Sequence, residues 1–267
     1  MHQIDKSDLK RNTVFEISSG SIELLKWIGL FTMTIDHLNT FYFNSEYELM
    51  RQIGRIAFPL FVVVISYNIA TLKGNKEKKV RQIIPRLFFF GLAAVPAIAY
   101  FKYSRTIDSH NILLLPFNEF VFWLLPLNVM FTFITLMVLL LCCERAIKRP
   151  MTYTIVYCFV LVALAGVSEY GISASLIGTA IFVFFIEPLD KRNFIPLRII
   201  SLTLFIVGYL ILVKFTSNSL WPIVALPIIY IASKYSFKAP RAGHFFYAYY
   251  PLHISVIVLL ATLTGSY

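Results

Sequence analysis

The sequence predicts an all-α protein, a polytopic transmembrane helical bundle of about nine spans in a single domain. Three observations carry that prediction. The 267 residues are 58% hydrophobic and only 14% charged, against roughly 45–50% apolar residues in a soluble domain. Apolar runs of about 20 residues recur along the chain, the length a helix needs to cross a hydrocarbon core of about 30 Å. The basic residues gather in alternate connections between those runs, as cytoplasmic loops do.

Taken in order, the expected spans are 22–43, 51–72, 84–103, 119–142, 151–167, 172–188, 196–214, 219–234 and 244–263. Residues 1–21 read as a short cytoplasmic N-terminal tail, and 22–267 as one transmembrane domain. The opening residues are too polar for a signal-peptide core, so the first span is expected to remain in the mature chain. The fifth and eighth spans are short, and the eighth carries Pro222 and Pro227. Between the third and fourth, residues 110–118 (HNILLLPFN) form a candidate re-entrant or interfacial piece. Twelve prolines are compatible with this reading, because neighbouring spans re-satisfy the backbone groups they free.

Charge orients the chain. With the N-terminus inside, 18 of the 24 basic residues are cytoplasmic: Lys6, Lys10, Arg11, Lys73, Lys76, Lys78, Lys79, Arg81, Arg86, Arg145, Lys148, Arg149, Lys191, Arg192, Arg198, Lys234, Lys238 and Arg241. Arg51, Lys102, Arg105 and Lys214 fall outside. The positive-inside rule explains the net charge of +10. With no continuous basic surface and no recognisable module, nucleic-acid binding is not expected. The three cysteines, Cys142, Cys143 and Cys158, fit no zinc signature, and a reducing compartment disfavours disulfides. They read as apolar packing.

Two ionisable neighbours, Asp36 and His37, interrupt the first span, and Arg55 interrupts the second. A charge in a span costs about 2.5–3.5 kcal/mol on insertion scales, so it marks a functional site by default. At 1.5 Å per residue, Asp36 lies about 10 Å from the outer boundary, Arg55 about 6 Å, and Asn128 about 14 Å. His253, in the last span, falls near the midplane. These residues are expected to converge on a cavity, with Asp36 and Arg55 as an ion pair. Adjacent helix positions diverge by about 100°, so Asp36 does not orient His37 as a catalytic dyad would. Pro59, Pro126 and Pro251 sit beside Arg55, Asn128 and His253. Pro59 in particular deprives the Arg55 carbonyl of its helical donor. Asn128 also fits a plain helix–helix hydrogen bond, and His253 alone fits a satisfied core histidine.

The segments LKWIGLFTMTIDHL and RQIGRIAFPLF, followed in order by NVMFTF, EYGISASLIG and FFYAYYPLHISVIVLL, resemble the TraX family of membrane F-pilin acetylases. The resemblance implies a bacterial inner-membrane enzyme that moves an acetyl group from acetyl-CoA to the N-terminal amine of a pilin subunit. It carries the family's Asp-His pair to Asp36 and His37, its arginine to Arg55, its asparagine to Asn128, its Tyr-Gly to Tyr170 and Gly171, and its last histidine to His253. Asp36, His37, Arg55 and His253 are then expected to be catalytic, and Asn128 and Tyr170 to bind substrate.

The chemistry fits the residues. Acetylating an amine needs a base, for which an imidazole with a pKa near 6.5 is suited, and a group that stabilises the oxyanion, for which Arg55 or Asn128 is suited. The acetyl-CoA phosphates are expected near Lys79, Arg81 and Arg86 in the basic stretch 73–86. No metal is expected. Two alternatives share the residues: an O-acyltransferase of a cell-envelope sugar or lipid, and a proton-coupled transporter.

Overall fold

The computed structural model describes residues 16–104, 127–146, 149–185, 194–216, 218–241 and 243–266. Pro126, the 110–118 piece, Lys6, Lys10, Arg11, Arg105, Lys148, Lys191 and Arg192 lie outside the described residues. The described chain is a helical bundle with no strands, its one extended pairing an isolated bridge.

Helix α1 (Ser19–Phe41) begins where the Ser18 hydroxyl accepts from the Ser21 amide at 3.1 Å. This cap satisfies a donor that the first turn cannot pair internally, so the helix starts ahead of its apolar stripe. The second expected span is two helices, α2 (Glu48–Gly54) and α3 (Ala57–Ala70). They part at Arg55 and Ile56, four residues before Pro59, the position whose carbonyl Pro59 cannot serve. Helix α4 (Lys76–Ser104) starts two turns earlier than expected. The Asn75 side chain caps it, accepting from the Lys78 amide at 2.9 Å, and Glu77 bridges to Arg81 within the first turns. Much of the basic stretch read as a loop is therefore helix.

The fourth span also departs from expectation. Helix α5 spans Val129–Ala146, not 119–142. Asn128 caps it, its Oδ1 accepting from the Met130 amide at 3.1 Å, while Leu127 is extended and paired with the 167–169 backbone. Helix α6 (Pro150–Val160) continues into a π-helical turn at Leu161–Ala165. Helices α7 (Gly171–Phe185) and α8 (Phe194–Phe215) follow. A 3₁₀ turn at Trp221–Val224 leads into α9 (Ala225–Lys234). The last helix, α10 (Phe245–Thr264), holds Pro251 inside it and stops at Gly265, whose φ of 66° forms a left-handed C-cap.

Among the described residues five helical stretches are long and apolar enough to cross a membrane: Glu48–Ala70 (α2 and α3 together), Lys76–Lys102, Val129–Ala146, Ile195–Phe215 and Phe245–Thr264. Three apolar helices are shorter, and α1 has the length but carries Glu23, Lys26 and Asp36. Helix ends alternate between two ends of the bundle. At the basic end, Arg145 at the foot of α5 pairs with Glu77 at the head of α4, and Ser21 donates to the Tyr235 carbonyl. At the other end, Asn44 donates to the Ser266 carbonyl, Ser219 donates to Gln52, and Phe41 packs on Phe101. Helix α3 is the centre, with Leu60 and Val62 fully buried. Met151, Phe159, Val162 and Leu263 project outward, more than 70% exposed, from the rim. Such an apolar rim suits lipid as its solvent.

Candidate active site

Helix α1 delivers Asp36 and His37 to different neighbours, as their angular offset requires. Asp36 turns to α2, against Gly54: a Cβ at Gly54 would lie 2.2 Å from the Asp36 Cβ. His37 turns to α10. Its Nδ1 lies 2.6 Å from Nε2 of His253, with the two rings stacked at 4.9 Å. Nδ1 of His253 in turn lies 2.7 Å from the Tyr249 carbonyl oxygen. A carbonyl only accepts, so His253 carries its proton on Nδ1. A neutral His253 then accepts at Nε2, and His37 must donate from its own Nδ1. That chain of two hydrogen bonds leaves Nε2 of His37 as the free basic nitrogen. Tyr249 extends the ring stack behind His253 at 4.7 Å, and its hydroxyl is 2.7 Å from Thr34 on α1.

Arg55, at the break between α2 and α3, reaches the connection that precedes α7. Its Nη1 donates to the Tyr170 hydroxyl at 2.5 Å. Two backbone bonds anchor that connection, from Leu127 N to the Val167 carbonyl at 2.9 Å and from Glu169 N to the Leu127 carbonyl at 2.8 Å. Non-helical backbone at membrane depth needs internal partners of this kind. Tyr170 itself has a φ of 55°, a left-handed conformation that costs a residue with a side chain roughly 1–2 kcal/mol. Backbone bonds hold it there, from the Gly171 amide to Ser168 and from the Ala174 amide to Tyr170 itself.

Asp36, His37, Arg55, Glu169, Tyr170 and Tyr250 line one cleft. The expected ion pair is not formed. Among the described residues Asp36 and Arg55 make no contact within salt-bridge distance, and the buried Oδ1 of Asp36 has no hydrogen-bond partner. The helix break explains the difference, since it sets Arg55 past the last turn of α2, within reach of Tyr170.

His253 stands behind His37 and does not line the cleft. Asn128 is 7% exposed, and both ends of its amide are engaged, Nδ2 donating to the Gly91 carbonyl at 2.9 Å and Oδ1 capping α5. Only its neighbour Val129 lines the cleft. Lys79, Arg81 and Arg86 are exposed near the head of α4, and Arg81 is bonded to Glu77 at 2.6 Å. Along α4 they are about 22 Å or more from Phe101, where that helix meets Phe41 beside the cleft. Glu169 and Tyr250 were not singled out in the sequence. Glu169 falls at a junction between spans, where acidic residues are ordinary, and Tyr250 is one of many aromatics in its helix. Among the described residues no cluster of three or more His, Cys, Asp or Glu is placed to hold a metal.

Compared with known proteins, the chain matches no curated protein and no solved structure. One protein family does match, described as TraX protein, over residues 21–261. That range takes in Asp36, His37, Arg55, Tyr170 and His253 together with every residue that lines the cleft, and the chain therefore belongs to the TraX family.

Proposed function

We propose that the protein is an integral-membrane acetyltransferase that moves an acetyl group from acetyl-CoA to an acceptor amine, the N-terminus of a conjugative pilin subunit. One observation carries the reading: two stacked histidines whose hydrogen bonds end on a backbone carbonyl and leave Nε2 of His37 as a base in a cleft with charged walls. The family's association with pilin acetylation supports it.

In this reading the acceptor arrives as an ammonium and meets the Asp36 carboxylate, whose Oδ1 has no hydrogen-bond partner. The ammonium gives its first proton to water, the free amine attacks the thioester carbonyl, and Nε2 of His37 takes a second proton from the nitrogen as the C–N bond forms. When the C–S bond breaks, the His37 proton passes to the departing thiolate. A positioned base contributes about 10²–10⁴-fold. The basic end faces the cytoplasm of the inner membrane, where Lys79, Arg81 and Arg86 attract the nucleotide phosphates and the pantetheine arm runs inward to the cleft. A carboxylate with an unpartnered oxygen suits an ammonium better than a sugar hydroxyl, which favours N- over O-acetylation.

The test is incubation of the purified protein with labelled acetyl-CoA and a choice of pilin-like N-terminal peptides, sugars and lipids. Label is expected on the peptide α-amine, and His37→Ala is expected to lose about 10²-fold or more in turnover. Label on a hydroxyl acceptor alone, or unaltered transfer by His37→Ala, would reject the assignment.

A further inference from the structure

We propose that Tyr170 is a catalytic residue whose phenolic O–H stabilises the oxyanion formed on the acetyl carbonyl, with Arg55 as its positioning residue. This inference rests on the acetyl-transfer reading and deepens it. The tyrosine hydroxyl carries one proton and accepts through its lone pairs. Nη1 of Arg55 occupies the accepting side at 2.5 Å. The O–H is then left to donate, and among the described residues no acceptor is seen for it. A cation donating to the phenol oxygen draws electron density from it and strengthens the bond that its proton makes.

The backbone agrees with a placed group. Tyr170 is one of only four non-glycine residues with positive φ among the described residues, and the other three, Asn44, Ser45 and Asn218, lie in polar turns. A bulky residue held in that region, beside an extended bridge and after a π-helical turn, is the kind of local cost found at functional sites. The Tyr170 ring packs on Phe58 at 4.9 Å and lines the same cleft as His37. Base and donor therefore serve one cavity from two walls, α1 and the 166–170 connection.

The step balances as follows. The amine nitrogen forms a bond to the carbonyl carbon, and the C=O π pair moves onto oxygen. The Tyr170 O–H hydrogen-bonds that oxygen without giving up its proton. Nε2 of His37 takes a proton from the attacking nitrogen, the first ammonium proton having gone to water; the carbonyl then re-forms as the C–S bond breaks, and the thiolate takes that proton from His37. Arg55 never touches the substrate and acts only through the phenol.

The test uses the full chain in lipid nanodiscs and a ketone analogue of acetyl-CoA, with methylene in place of sulfur and ¹³C at the carbonyl. Infrared difference spectra should show the bound carbonyl stretch below its solution frequency. Tyr170→Phe should abolish that displacement, Arg55→Gln should reduce it, and the double variant should match Tyr170→Phe alone. With acetyl-CoA itself, Tyr170→Phe should lose about 10²–10³-fold in kcat, the usual effect of deleting one oxyanion donor, with KM little changed. A bound carbonyl at its solution frequency in the wild type, or one still displaced in Tyr170→Phe, overturns the role of Tyr170 and leaves acetyl transfer standing. No binding of the analogue by the wild type overturns the acetyl-CoA reading, and this inference with it. Full displacement retained in a folded Arg55→Gln, like an undisplaced wild-type carbonyl, overturns the proposal even where Tyr170→Phe fails to fold.

Discussion

At the scale of residues, the site rests on hydrogen-bond direction. His253 has to donate from Nδ1 to the Tyr249 carbonyl and accept at Nε2 from His37. Glutamine at 253 places an amide oxygen near the position of Nε2 and still accepts from His37, whereas leucine fills the space and accepts nothing. His253→Leu is expected to lose on the order of 10²-fold in turnover, the low end of what a positioned base contributes, and His253→Gln to recover part of it. Equal losses in the two variants, measured at matched membrane levels, would make His253 a packing residue. The charged members of the site were legible in the sequence because charge is costly in a span: Asp36, His37 and Arg55 all line the cleft. Their pairing was not legible. Asp36 and Arg55 looked like ion partners by depth, but depth says nothing of direction, and Arg55 turns to a tyrosine in the connection before α7.

At the scale of elements, Pro59 decides where Arg55 points. In the structure it sits in the first turn of α3, four residues after the Arg55 carbonyl it leaves without a donor. Pro59→Ala returns an amide to that carbonyl and lets α2 and α3 run on as one helix. The expected result is a melting temperature unchanged or raised, with acetyl transfer reduced because the Arg55–Tyr170 bond is pulled apart. A stable variant with full activity would show the break to be incidental. Pro59 was readable as a break, but Asn128 was not readable as a cap. An asparagine inside an apolar run looks like a membrane-depth polar group until the extended backbone at Leu127 is seen. That backbone depends on a bridge from Leu127 to Ser168, 41 positions later, which no local pattern encodes. The same limit placed Lys79 and Arg81 in a loop, because helix-capping Asn75 weighs little against a run of like charges.

At the scale of the whole molecule, the alternation of basic and non-basic connections was read from charge, and the described helix ends alternate accordingly. The Glu77–Arg145 and Ser21–Tyr235 contacts gather one set of ends, and the Asn44–Ser266 contact belongs to the other. Single cysteines at Gly74 and Lys238 are expected to react with a membrane-impermeant reagent only in inside-out vesicles. A cysteine at Glu46 is expected to react only in right-side-out cells. Gly74 has open space around its Cβ position, and Lys238 and Glu46 lie in connections rather than helices. Labelling of Gly74→Cys and Glu46→Cys from the same side would break the bundle's alternation and the depth assigned to the cleft.

The closeness of Asp36 to Gly54 has a consequence for how such chains diverge. A side chain at 54 would begin 2.2 Å from the Asp36 Cβ and 2.5 Å from its Cγ, so position 54 cannot gain a side chain while aspartate stays at 36. A lineage that acquires alanine at 54 must shrink residue 36 or part α1 from α2. Shrinking residue 36 removes the carboxylate. The dependence runs one way: glycine is required at 54 wherever aspartate stands at 36 in this packing, and a descendant that shortens residue 36 is released from that requirement.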